Sequence, residues 1–244
     1  MSIIFSNGAI ISLVTPPTVV TNGLVFNLET APSSGTIWTD SSGNGYNAII
    51  SGSATYVSNN GGGIKLNNTL SNGGGVDFIS VPYNISSNTV TVEIVASFNP
   101  TTFWGSIWGN EAYSTIPSRG YLAYMGGSTT IGYGSPASQA SETITASNSI
   151  RHWVFVINNT TASLYLNGTQ VGTSDTIISQ TNFATNNFYF GSRHSNAGTG
   201  HVDKLNNSIS ANQPVFYQMR LYNKALSVGE ITQNFNIIRG TYGL

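Results

Sequence analysis

The acidic residues are the first place to look for chemistry, because hydrolysis of a glycosidic bond needs two carboxylates that face each other across a groove. The chain has nine Asp and Glu residues, and no two of them stand close enough in sequence to share one face of one strand. Glu93 lies in a strongly alternating segment, where we interpret it as an outward-facing polar position. A pair contributed by different strands stays open, but the sequence favours a protein that is not an enzyme and has no catalytic residues.

A glycine-rich stretch with His194, His201 and Asp203 is a second candidate site. Imidazole nitrogens and carboxylate oxygens on a loop are able to hold a metal ion. The spacing of these residues fits no metal-binding template, so surface side chains on a solvated loop are the favoured interpretation. The chain also has no cysteine, which removes thiolate catalysis and Cys-ligated metal. We therefore predict no metal and no cofactor.

Aromatic residues concentrated in one glycine- and serine-rich region form a third candidate set. They are Trp104, Trp108, Tyr113, Tyr121, Tyr124 and Tyr133. Exposed rings beside hydroxyls and amides are what a sugar-binding face needs, because a ring stacks on the apolar face of a pyranose. The favoured alternative is that these rings fill the core or a subunit contact.

The composition limits the partners. Charged residues are 7% of the chain and the formal net charge is −1, so no basic surface is available for nucleic acid. Such a surface must be covered by Ser, Thr, Asn and Gly, and it has little charge to keep monomers apart. The composition therefore suits a subunit of an assembly, and we predict a homo-oligomer.

The first residues, 1–22, differ from the rest in being extended, uncharged and interrupted by Pro16-Pro17. No Lys or Arg precedes the apolar run, and the prolines break it well short of a membrane span, so we expect neither a signal peptide nor a membrane partner. We interpret this segment as an N-terminal arm that attaches the protein to a neighbour. Its partner-binding residues are predicted to be Ile3, Ile4, Phe5, Ile10, Ile11, Leu13 and Val14.

The remainder, 23–244, is typical of a single all-β domain. Apolar residues recur with period two between clusters of Gly, Asn, Ser and Pro, most clearly at Thr89–Phe98. Both faces are apolar at His152–Asn158, which indicates a central strand. Asn167-Gly168 supplies the pair of positive φ angles that a tight hairpin needs. Many short strands without helices between them predict a two-sheet antiparallel jelly-roll sandwich.

One short helix is predicted at the C-terminal end, over Ser227–Arg239. Ser227 and Glu230 have the spacing of a capping box, and Gly240 stands where a left-handed C-cap would lie. Ile231, Phe235 and Ile238 fall on one stripe, which we expect to pack against the sandwich.

Several segments of the chain resemble the strands of concanavalin A-like, laminin G-like domains. They are Gly23–Leu28, Trp38–Asn47, Gly62–Leu66, Asp77–Pro82, Arg151–Val154, Leu164–Gly172 and Met219–Ser227. Val215-Phe216-Tyr217 stands where many relatives have acidic residues, so the resemblance does not carry a calcium site with it.

Within that superfamily the sequence is most similar to virion structural proteins of tailed phages, including those that infect cyanobacteria. The segments that carry this likeness are Val19–Leu24, Asn234–Asn236 and Arg239–Gly240. The resemblance implies a non-catalytic capsid decoration or cement subunit on the particle surface, made in the host cytoplasm and bound to major capsid or tail proteins. The alternative is a lectin-like tail or fibre module that binds host carbohydrate.

Overall fold

The structure is a computed structural model. It describes residues 2–4, 10–12, 18–68, 76–99, 103–110, 112–113, 120–126, 129–135, 138–180, 183, 187–195, 201–202, 205–207 and 213–244. The described residues form two large antiparallel sheets that pack face to face, and one helix near the C-terminal end. The predicted all-β sandwich with a single C-terminal helix is therefore confirmed.

Sheet 1 is a nine-stranded sheet with the order β14-β13-β12-β10-β18-β8-β5-β4, and β21 pairs with β10 beside this path. Its strands are β4 (Ile37–Trp38), β5 (Ala48–Ser51), β8 (Phe78–Val81), β10 (Phe103–Gly109), β12 (Leu122–Gly126), β13 (Thr130–Ser135), β14 (Ser138–Thr143), β18 (Phe188–Phe190) and β21 (Asn206–Asn207).

Sheet 2 is an eight-stranded sheet with the order β17-β16-β15-β9-β22-β7-β6, and β3 pairs with β22. Its strands are β3 (Leu24–Leu28), β6 (Thr55–Val57), β7 (Gly63–Lys65), β9 (Thr89–Ser97), β15 (Ile150–Asn158), β16 (Thr161–Leu166), β17 (Thr169–Thr176) and β22 (Val215–Tyr222). Two small sheets contain β1 (Ser2–Ile4) with β2 (Ile10–Ser12), and β11 (Ala112–Tyr113) with β19 (Arg193–Ser195) and β20 (His201–Val202).

Alternation along the central strands builds the core. On β9, Val92 and Ile94 point between the two sheets, while Thr91 and Glu93 point to the outer face of sheet 2. Strand β15 lies between β9 and β16 and is buried on both faces, as predicted for a central strand. The predicted hairpin follows it, and Asn167 and Gly168 have φ angles of 50° and 77°.

The helix α1 (Val228–Tyr242) lies on the outer face of sheet 2, where it buries two apolar clusters separate from the main core. Its predicted start is confirmed, since Ser227 and Glu230 form a reciprocal capping box. The predicted end at Gly240 is wrong, because the helix continues and closes at Gly243 with φ 68°. The extra residues bury Tyr242 against Tyr217, with ring centroids 5.9 Å apart.

The chain enters the domain along this helix. Val20 is buried in the cluster beneath α1, and its backbone N–H donates to Asn234 Oδ1 at 2.9 Å. Gln233 Nε2 donates to the carbonyl of Thr18 at 2.7 Å. Residues 18–20 are therefore bound to the sandwich, although they were predicted to be part of the arm 1–22. In the arm itself β1 and β2 pair antiparallel, so these residues form a hairpin where a single extended strand was expected.

In the part of the chain that the structure describes, no helix has the length and apolar character to cross a membrane.

Candidate functional site

The outer face of sheet 2 carries a buried polar cluster beneath α1. Its centre is Glu93, whose Oε1 accepts hydrogen bonds from His152 Nε2 and from Arg220 at 2.9 Å each. Its Oε2 accepts from Asn234 Nδ2 of the helix at 2.8 Å. Burial alone would raise the pKa of the Glu93 carboxyl, but the charge of Arg220 and the hydrogen bond from His152 outweigh it and lower the pKa to about 2. Glu93 is therefore a carboxylate that holds the helix on the sheet.

Arg220 extends this cluster toward the loop that follows β3. Its Nε donates to Asn27 Oδ1 at 2.9 Å, and the Asn27 backbone N–H donates to the carboxylate of Asp40 at 2.8 Å. Asp40 also accepts from the backbone N–H groups of Ser42 and Tyr46 at 2.9 and 3.0 Å. Burial raises the pKa of Asp40, but these amide donors outweigh that and lower it. The loop at 38–47 is therefore held closed by hydrogen bonds from its own backbone amides to Asp40.

A cleft of about 390 Å³ opens on the same outer face, at the end of sheet 2 near the last turn of α1. The strand register builds its floor, because Lys65, Ser97 and Ile150 stand in one row with Val215 across four adjacent strands. Directly opposed residues share a face, so all of these side chains point into the cleft.

Turns and loops supply the walls of the cleft. Asn59 and Asn60 come from the turn between β6 and β7, and Asn148 and Ser149 come from the segment before β15. Asn60 has a φ of 51°, and the tight turn closes through Gly62 N–H to the Asn59 carbonyl at 3.0 Å. The sequence argument missed this cleft, because its residues come from distant parts of the chain.

Several polar side chains of the cleft make no hydrogen bond or ion pair with any other described residue. They are Lys65, Ser97, Asn60, Asn148 and Ser149. Among the described residues of the lining, Lys65 is the only charged one, and none is Asp or Glu. The cleft therefore presents amide and hydroxyl groups and one cation to a ligand.

An acidic pair from different strands does occur, at the seam where the edges of the two sheets meet. Asp175 on β17 accepts from the backbone N–H of Ser141 on β14 at 3.3 Å, and Glu142 on β14 accepts from the backbone N–H of Thr173 on β17. Partial burial and the nearby charge of Asp175 raise the pKa of Glu142. Each carboxylate thus binds the opposite edge strand, and we name this arrangement the edge clasp.

Most of the aromatic set proposed for a sugar-binding face belongs to the core. Trp108, Tyr121 and Tyr133 are 0% exposed, which confirms the favoured core position for these three and corrects their possible role as glycan or interface residues. Alternation points them inward, where Trp108 stacks on Phe188 at 5.7 Å. Tyr124 is 37% exposed and covers Gly132 on the outer face of sheet 1.

The remaining predicted site residues lie partly or wholly outside the described residues. For Trp104, Tyr113, His194 and His201 the structure gives the backbone alone, and it pairs His194 with His201 across β19 and β20. The backbone alone is likewise given for Ile3, Ile4, Ile10 and Ile11, whereas Asp203, Phe5, Leu13 and Val14 are outside the described residues. Within the described ranges, no group of three or more His, Asp or Glu side chains is arranged to hold a metal.

Solved structures with the same fold include proteins that are much longer than this chain. A Trypanosoma rangeli sialidase in complex with the inhibitor DANA matches with a TM-score of 0.61 and 17% identity, over 90% of this chain and 34% of the other. The binding domain of Paraclostridial mosquitocidal protein 1 matches with a TM-score of 0.61 and 17% identity, over 89% of this chain and 52% of the other.

The botulinum neurotoxin type G receptor binding domain is similar, with a TM-score of 0.61 and 15% identity over 88% of this chain and 51% of the other. At these identities the likeness concerns the fold alone, and the chain spans about a third to a half of the matched chains. No curated protein sequence matches the chain. The family model described as the concanavalin A-like lectin/glucanases superfamily matches residues 70–232, which is more than half of the sequence. The chain therefore belongs to the concanavalin A-like lectin/glucanase superfamily.

Proposed function

We propose that this protein is a non-catalytic structural subunit of a phage particle, of the capsid decoration or cement type, attached through its N-terminal arm. The observation that carries the proposal is the arm, which is bound to the sandwich through residues 18–20. Strands β1 and β2 contain Ile3, Ile4, Ile10 and Ile11 and form a two-stranded sheet of their own. A two-stranded hairpin is at best marginally stable in water, so its apolar residues favour contact with a second surface.

The acidic residues support the non-catalytic part of the proposal. Every Asp and Glu in the described part of the chain accepts a hydrogen bond from another residue of the chain. These residues are Glu29, Asp40, Asp77, Glu93, Glu142, Asp175 and Glu230. A general acid or base needs a carboxyl group that can reach a substrate, whereas these groups bind backbone amides and neighbouring side chains.

The resemblance to virion proteins and the low charge support the particle role. A surface of Asn, Ser and Thr makes many side-chain and water-mediated hydrogen bonds across a large contact. The partners proposed are major capsid or tail proteins and further copies of this chain, on the surface of the virion.

Two deletions test the attachment. Removal of residues 1–17 should leave the sandwich folded, with an unchanged urea midpoint, and should abolish incorporation into particles. Removal of residues 1–20 should also lower stability, because it takes away the buried Val20 and its bond to Asn234. Normal incorporation of the shorter deletion would refute attachment through the arm.

A second function is favoured by the cleft on sheet 2: a lectin-like tail or fibre module that binds host carbohydrate. The free amide and hydroxyl groups described above are the groups that bind sugar hydroxyls. A glycan array on the isolated protein, together with location of the subunit in the particle, separates the two functions. A capsid position without glycan binding supports the first, and a tail position with glycan binding supports the second.

A further inference from the structure

The positive charge in the cleft on sheet 2 indicates the class of ligand that it binds. We infer that it binds a carboxylated sugar ring, of the uronate type, with the carboxylate on Lys65. This inference rests on the second function proposed above, since both place a sugar in the same cleft. Its volume of about 390 Å³ lies in the usual range of small-ligand sites, about 300–1,000 Å³.

Lys65 is the reason to expect that the cleft prefers an anionic ligand. Lys65 stands in the row on the floor, and none of the described residues that line the cleft brings a carboxylate to neutralise it. By comparison, Arg220 is paired with Glu93 at 2.9 Å and Lys224 is paired with Glu230 at 2.7 Å. A negative group that enters the cleft therefore meets a positive charge that has no counter-ion among the described residues.

The floor and walls give the preference for a sugar ring. Val215 lies next to Lys65 in the row and Ile150 lies beyond Ser97, so the floor offers two aliphatic side chains on which the C–H face of a ring packs. Asn60 and Asn148 stand on opposite walls, and each amide offers both donors and an acceptor for ring hydroxyls. A bare anion such as phosphate would leave these two aliphatic side chains uncovered and the amides bound to water.

The test is an NMR titration of the full chain with galacturonate, with galactose as the neutral match and inorganic phosphate as the bare anion. Galacturonate should shift the amide signals of Asn59, Asn60, Ser97 and Ser149 and should bind about fivefold more tightly than galactose. That ratio corresponds to about 1 kcal/mol, the contribution of a partly exposed ion pair. Raising the salt concentration should reduce the ratio.

Variants of the lysine identify the source of the preference. Lys65→Gln should bring galacturonate down to the affinity of galactose, and Lys65→Arg should keep the preference. Arg239→Gln, which removes an exposed cation of α1 outside the cleft lining, should leave both affinities unchanged.

Equal binding of galactose and galacturonate by the wild type would overturn the anionic class and leave sugar binding intact. Phosphate binding as tight as galacturonate would overturn the sugar ring. No shift at the cleft with any of these ligands would overturn this inference and the second function together.

Discussion

Asn234 on the helix donates a hydrogen bond of 2.8 Å to Glu93 at the centre of sheet 2. The same amide group donates to the hydroxyl of Tyr222 at 2.9 Å, and its oxygen accepts from the backbone N–H of Val20 at 2.9 Å. One side chain thus joins the helix, the sheet and the segment by which the chain enters the domain. Because Asn234 is fully buried, water cannot replace a bond that is lost.

Asn234→Ala should destabilise the protein by about 2–4 kcal/mol, because it leaves buried polar groups of Glu93, Tyr222 and Val20 without this partner. Hydrogen exchange should show faster exchange of the Val20 amide, and urea unfolding should give a lower midpoint. Gln233→Ala is the matched control, since Gln233 is exposed and loses a single bond to Thr18. Equal effects of the two substitutions would contradict the role of Asn234.

Glu93→Gln should be more severe, at about 3–5 kcal/mol, because it leaves the buried guanidinium of Arg220 without its counter-charge. Glu29→Gln is the control. Glu29 is 43% exposed and lies 3.9 Å from the same guanidinium, so its loss should cost less than about 1 kcal/mol. Chemical denaturation of both variants measures the difference, and a similar small loss in each would show that the buried pair adds nothing.

Acid should weaken the wild-type protein in a defined range. The pKa of Glu93 is about 2 in the folded protein against an ordinary value of 4.5. Between pH 2 and pH 4.5 the unfolded chain therefore binds more protons than the folded protein. The stabilisation from Glu93 is complete above pH 4.5 and is lost as the pH falls toward 2, by about 3 kcal/mol. Urea unfolding across this range should show a steeper loss in the wild type than in Glu93→Gln, and parallel profiles would contradict this assignment.

Gly172→Ala tests the edge clasp. A Cβ at Gly172 would lie 2.2 Å from Glu142 Oε2, and the backbone φ of 60° already disfavours a side chain. We expect a loss of about 1–3 kcal/mol in the free energy of unfolding. Gly126→Ala, at a glycine where the added carbon would meet no heavy atom of another described residue within 4 Å, should change stability by less than about 0.5 kcal/mol.

A second substitution separates the two causes. Adding Glu142→Ala to Gly172→Ala removes the collision and leaves the strained backbone, so it should recover part of the loss. Failure of the double variant to recover any stability would mean that the carboxylate of Glu142 is not held against Gly172.

Features that depend on neighbouring residues were predictable from the sequence. The alternation of β9, the Asn167-Gly168 turn and the capping box of Ser227 are set within a few residues, and the structure contains all of them. The C-cap was misplaced because Gly240 looks like a helix end locally. The burial of Tyr242 against Tyr217, which is distant in sequence, extends the helix past Gly240 despite its low helix propensity.

The candidate site was not predictable in the same way. Glu93 was expected on a polar outer face, and it is buried because a helix 141 residues later covers it through Asn234. The cleft needs Asn60, Ser97, Asn148 and Val215 in one place, and only the pairing of β7, β22, β9 and β15 brings them together. Alternation along the strands of Trp108 and Tyr133 shows which neighbouring side chains share a face with each ring. It does not show which of the two faces packs into the core.

The edge clasp has a consequence for the behaviour of the protein at high concentration. Strands β14 and β17 end their sheets, and an unpaired strand edge is a template on which another chain can grow into a fibril. Glu142 and Asp175 place two negative charges at that border and occupy backbone N–H groups that an incoming strand would need. In a protein with a net charge of only −1, these two carboxylates thus give the β14/β17 seam a local protection against fibril growth.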